Sequence, residues 1–116
     1  MSPLKITAED CATGTVLKLI GDLDHDTAPQ LRDLLPTTTP QPGRLLILDL
    51  GAMPFCDSSG ISALLAARNH AHALGADIVL AAVPANTLRI LRIVGLDQVF
   101  TVHPDLATAT RPREAG

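Results

Sequence analysis

The sequence predicts an α/β domain with a mostly parallel, mixed sheet of four or five strands and helices packed mainly on one side. Three observations predict it. Residues 45–50, Leu-Leu-Ile-Leu-Asp-Leu, and residues 77–82, Asp-Ile-Val-Leu-Ala-Ala, are short and almost wholly apolar. Strands covered on both faces have that pattern. Between and after them come segments with apolar residues at helical spacing: Leu31, Leu34 and Leu35, then Ile61, Leu64 and Leu65, then Leu88, Leu91 and Val94. Strand and helix alternate, giving β-β-α-β-α-β-α-β and a stub, the order of parallel crossover units. The 116 residues suit one domain with its own core. Residues 1–110 are assigned to it, and residues 111–116 to a disordered tail.

The elements follow in order. Leu4, Ile6 and Ala8 alternate with polar neighbours, as in a short strand. Glu9-Asp10 and Thr13-Gly14 read as turn material, and residues 16–20 as a second strand closed by Gly21. Their closeness predicts an antiparallel hairpin. An acidic loop, Asp22-Leu23-Asp24-His25-Asp26, precedes a helix. There Thr27 is placed as cap, Gln30 as its capping-box partner and Pro29 in the first turn, and Pro36 stops the helix. Residues 37–43 read as an exposed loop without an apolar anchor.

In the second helix, Ala63, Ala66, Ala67 and Ala71 permit close approach to a sheet, and Arg68, Asn69 and His72 mark the wet side. Gly75 ends that helix. Pro84 opens a third helix, whose inner face is Leu88, Leu91 and Val94 and whose end is Gly95. Residues 99–102 make a last, edge strand, and residues 104–109 a helical turn or two.

Composition removes several function classes. The net charge is −3 and the only aromatic residues are Phe55 and Phe100, which leaves neither a basic footprint nor stacking platforms for nucleic acid. No apolar run nears the ~20 residues that span a bilayer. Cys11 and Cys56 form no CxxC motif. A soluble cytoplasmic protein with reduced thiols is expected, with no nucleic-acid or membrane partner and no cofactor.

Sites in such sheets lie at the carboxyl ends of the strands. Two segments meet that condition: the acidic loop, and Asp57-Ser58-Ser59-Gly60 at the mouth of the second helix. Helix capping alone accounts for an Asp/Ser cluster there. Yet three candidates stand where one suffices. If Asp57 caps, Ser58 is the first helical residue, its hydroxyl free and solvent-facing, with Gly60 keeping the surface open beside it. Such a hydroxyl can accept a phosphate without unfolding the helix, because the dipole and the free N–H groups favour an anion.

A catalytic serine is not expected. There is no Gly-x-Ser-x-Gly elbow, and His25 could reach the serines only through the fold. Asp22, Asp24 and Asp26 have the spacing of a calcium loop, but Thr27 replaces its glycine and Asp33 is a short closing acid. His70 and His72 lack the spacing of a helical metal pair, so no metal is expected. Cys56 reads as a small buried residue.

Taken together, Gly21-Asp22-Leu23-Asp24-His25-Asp26-Thr27-Ala28 and Phe55-Cys56-Asp57-Ser58-Ser59-Gly60-Ile61 resemble the paired motifs of STAS domains, and of bacterial anti-sigma factor antagonists among them. Val94-Gly95-Leu96 is similar to that family's Gly-Leu ending. The resemblance implies a STAS-like fold and no enzyme activity. It implies that the unphosphorylated domain binds an anti-sigma factor that is also a serine kinase, and so frees a sigma factor. Phosphorylation of Ser58 switches this off, and a serine phosphatase restores it. Asp22, Asp24, His25, Thr27, Ser58 and Ile61 are then the partner-binding set, with Asp57, Ser59 and Gly60 as cap and support. The sequence departs from the family at Cys56, where Met or another apolar residue is common, at Ser62, where Gly is frequent, and in its short final helix. The alternative is a non-switching STAS subunit of a transporter or lipid-trafficking complex.

Overall fold

The computed structural model describes residues 3–111. Five strands form one sheet in the order β1-β2-β3-β4-β5. They are β1 (Lys5–Cys11), β2 (Gly14–Ile20), β3 (Leu45–Ala52), β4 (Asp77–Ala81) and β5 (Thr101–His103). β1 and β2 form the antiparallel hairpin, and the pairs from β2 to β5 are parallel. Glu9 and Asp10 belong to β1 rather than to a turn, opposite Val16 and Thr15. β1 is an edge strand with both residues exposed, so charges there cost little burial and blunt the edge.

Alternation along β3 shows why its sequence is so apolar. Leu46, Leu48 and Leu50 join the main core, with Leu17, Leu19, Ile78 and Leu80. Leu45 and Ile47 face the other way, into a smaller cluster with Val16, Val79 and Ala81. The main core is closed by Leu31 and Leu35 from the first helical region, Ala63, Leu64, Ala67 and Ala71 from the second, and Leu91 from the third. Those helices are α1 (Ala28–Leu34), α2 (Ser58–Ala73) and α3 (Ala85–Ile93). The stub, α4 (Leu106–Ala109), packs on the opposite face through Ala109 and Leu106. Asp105 caps it by accepting from Thr108 N at 2.7 Å, a bond that holds the Asp105 carboxyl below the usual carboxylate range. The final helix is therefore short but seated.

Several local expectations are corrected. Residues 37–43 are anchored after all: Thr38 is buried, its hydroxyl donates to Leu34 O at 3.1 Å, and its carbonyl lies 2.6 Å from His70 Nε2. Thr38 can be buried because both of its polar groups are paired. Arg68 is half-buried rather than wet. Val94 is 56% exposed, because the helix ends at Ile93 and Gly95 turns the chain at φ +79°. The inner face of α3 is instead Leu91 and the fully buried Thr87. Phe100 leaves the edge strand to join the core, and Gly75 ends α2 at φ +75°. Most of the expected tail, residues 112–116, lies outside the described residues.

Candidate functional site

The acidic loop and the start of α2 meet at the carboxyl ends of β2 and β3. Gly21, at φ +110°, turns the chain out of β2 and donates to Ala52 O at 2.9 Å. Leu23 then drops into the core, fully buried, and pairs with Cys56 in a single parallel bridge. Leu23 N donates to Phe55 O at 2.9 Å, and Asp57 N to Leu23 O at 3.3 Å. The alternation that buries Leu23 leaves Asp22 and Asp24 half-exposed on either side.

Asp57 ties the two segments together. Its Oδ1 accepts from Gly60 N at 3.0 Å, which caps α2. Its Oδ2 accepts from the main-chain N–H of His25 at 3.1 Å. One carboxylate thus fixes the helix start and the loop beside it, and charge makes both bonds strong. The buried Cys56 thiol is pushed up to about 12, by burial first and by the Asp57 charge second. It stays protonated near neutral pH.

Ser58 follows as the first residue of α2 and is exposed; its hydroxyl has no hydrogen-bond partner among the described residues. Ser59 is half-buried, and its hydroxyl likewise makes no bond among those residues. Gly60 does not keep the surface open. It is buried, and a Cβ there would lie 2.3 Å from Leu23 O and 2.6 Å from Cys56 Sγ. Its role is close packing of the helix start onto the loop. Ile61 is only 7% exposed and sits in the core, so it anchors α2 and offers a partner almost nothing.

The loop is braced differently from the expected capping box. Thr27 makes no side-chain cap on α1. Its hydroxyl donates to Asp22 O at 2.8 Å and accepts from Asp24 N at 2.9 Å. Asp24 Oδ1 takes the N–H groups of Asp26 and Thr27, at 3.0 and 3.1 Å. Gln30 reaches Leu4 O instead of the helix start. The Asp24 carboxylate braces the loop just before α1, as an Asx turn does, and no side chain caps the helix itself.

His25, Ala28, Pro29, Arg32, Ser58, Ser59 and Ser62 line one open cleft of about 470 Å³ between α1 and α2. The fold does bring His25 to the serines. Asp57, however, holds its main-chain N–H, and no hydrogen bond joins its ring to a serine among the described residues. No group of three potential metal ligands occurs among those residues. Arg32 was missed from sequence. It lies one turn along α1 from Ala28 and Pro29, but nothing local says that α1 faces the start of α2.

The fold and these paired loops define a STAS domain. The STAS domain family model matches residues 3–109, and the chain belongs to that family. Its structure is similar to an anti-sigma factor antagonist from Mycobacterium paratuberculosis, at 28% identity, covering 94% of this chain and 95% of that one, with TM-score 0.75. It is similar to the Bacillus cell fate determinant SpoIIAA in its phosphorylated form, at 21% identity over 94% of this chain and 100% of that one, TM-score 0.68. It is also similar to a sulfate transporter family protein from Wolinella succinogenes, at 20% identity over 82% of this chain and 80% of that one, TM-score 0.71. No helix among the described residues is long and apolar enough to cross a membrane.

Proposed function

We propose that this chain is a cytoplasmic anti-sigma factor antagonist switched at Ser58. The unmodified domain docks an anti-sigma factor that is also a serine kinase, and the sigma factor is released. The docking surface comprises Ser58, His25, the exposed parts of Asp22, Asp24 and Thr27, and Phe55, which is 49% exposed beside them. Ile61 supports this surface from beneath.

The kinase supplies its own ATP. The Ser58 Oγ–P bond forms, the bond from the γ-phosphorus to the bridging oxygen breaks, ADP leaves, and the hydroxyl proton passes to the kinase's base. A serine phosphatase hydrolyses the ester and resets the domain. The domain performs no catalysis and needs no cofactor in this cycle.

A single observation carries the reading: Asp57 caps the helix, so Ser58 stands exposed with an uncommitted hydroxyl on the surface shared with the His25 loop. The antagonist from Mycobacterium paratuberculosis supports it. Phosphate adds about −1.5 to −2 charges next to Asp57. The fold tolerates it at an exposed helix start, whereas a packed interface does not. Burying one unpaired charge costs about 3–5 kcal/mol, enough for a thousandfold loss of affinity, about 4 kcal/mol.

The test is incubation with the cognate kinase and ATP, followed by mass-spectrometric site mapping. Modification at Ser58, lost in Ser58→Ala, is expected. Modification of Ser58→Ala at the wild-type rate would sink the assignment. The likeness to a sulfate transporter family protein supports a second reading, a non-switching transporter subunit. Co-purification with a membrane transporter and an unmodified Ser58 would favour it.

A further inference from the structure

We propose that Arg32 is an intramolecular clamp for the phosphate on Ser58, folding across the cleft to pair with it. This rests on Ser58 being the phosphoacceptor. Arg32 stands on α1 and Ser58 on α2, and both line the one cleft. The Arg32 side chain is exposed and makes no hydrogen bond or ion pair among the described residues, so its guanidinium is uncommitted.

The surroundings make such a cation consequential. The ionisable groups facing the phosphate position are Arg32 and His25 in the cleft and the Asp57 carboxylate at the helix start. Asp57 repels a phosphate and is itself bound by two N–H groups, so it does not move away. Asp24 and Asp26 lie further along the loop and add to the repulsion. Of the cleft residues, Arg32 alone carries a charge that is positive at every physiological pH. A guanidinium presents a planar fork of donors that matches two phosphate oxygens.

Phosphorylation therefore does two things at the surface. It places a dianion over the docking site, and it draws Arg32 from solvent onto that dianion, closing the cleft between α1 and α2. The off state is then a closed local arrangement as well as a charged one. The clamp also covers part of the ester, so the phosphatase must displace Arg32 before hydrolysis.

The test does not need the kinase. Phosphoserine is incorporated at position 58 during synthesis, in the wild type, Arg32→Lys and Arg32→Gln, and the phosphate is titrated by ³¹P NMR. A free phosphoserine ionises a second time near pH 6. A paired guanidinium favours the dianion, so the wild-type midpoint is expected about half a unit or more below that of Arg32→Gln. Arg32→Lys should fall between them, since it keeps the charge and loses the fork. Coincident wild-type and Arg32→Gln titrations would overturn the clamp. Because Arg32 is exposed, the unmodified variants should melt together, so a merely structural role would not move the ³¹P midpoint. Failure of the kinase to modify Ser58 would instead remove the reading on which the clamp rests, a different and separately observed result.

Discussion

At the start of α1, Asp24 and Thr27 both commit their side chains to the surrounding backbone. At the start of α2, Asp57 does so, and Ser58 and Ser59 do not. Both starts follow the carboxyl end of an interior strand, β2 or β3, and both use short polar residues that favour caps. The difference lies in order. In the loop before α1, the hydroxyl lies three residues after the aspartate and is folded back onto it. Before α2, the aspartate caps from outside, and the next residue already has helical geometry with nothing local to bind. A hydroxyl placed just inside a helix whose cap is already supplied is structurally idle, and so is available for chemistry.

The joint between the two segments is the point most sensitive to substitution. Gly60→Val forces a branched side chain onto a backbone oxygen that already lies 2.3 Å from the first added carbon. A loss of about 3 kcal/mol or more in urea unfolding is expected. Wild-type stability would show that the loop is not held against α2 as described.

A smaller pair of effects sharpens the contrast itself. Thr27→Ala removes two hydrogen bonds inside the loop and should cost about 1–2 kcal/mol. Ser58→Ala removes none among the described residues and should stay within about 0.5 kcal/mol of wild type. Equal losses would mean that Ser58 is structural after all.

A last effect, confined to alkaline pH and negligible near neutrality, concerns the thiols. A thiol raised in the folded state keeps its proton where the unfolded chain loses it. Cys56 therefore weakens folding as pH rises from the ordinary thiol value, about 8.5, towards its own value of about 12. The slope should be no steeper than about 1.4 kcal/mol per pH unit. At pH 8 the native protein should react with a thiol reagent at the half-buried Cys11 and spare Cys56, and rapid labelling of Cys56 would contradict its burial.

The sheet was largely legible because its signals are local. Near-continuous apolar runs marked β3 and β4, and a short polar gap marked the hairpin. The cap of α2 was legible for the same reason, since Asp57 and Gly60 are three residues apart. What was not legible depends on contacts between distant segments. Gly60 looked like an opening and is a packing contact, because Leu23 passes beneath it. Thr38 looked exposed, because the bond to His70 spans 32 residues. Thr27 fits a capping pattern, but the loop before it offered its hydroxyl nearer partners. Arg32 has no signal of its own until α1 is laid against α2. The stub α4 has too few residues to announce that it covers the second face of the sheet.

The most direct measurement compares the affinity of the cognate anti-sigma kinase for the unmodified protein and for the protein carrying phosphoserine at position 58, by titration calorimetry. The account predicts tight binding of the first and at least a thousandfold weaker binding of the second, about 4 kcal/mol. Equal dissociation constants would contradict it, because the Ser58 surface would then not be where the partner docks.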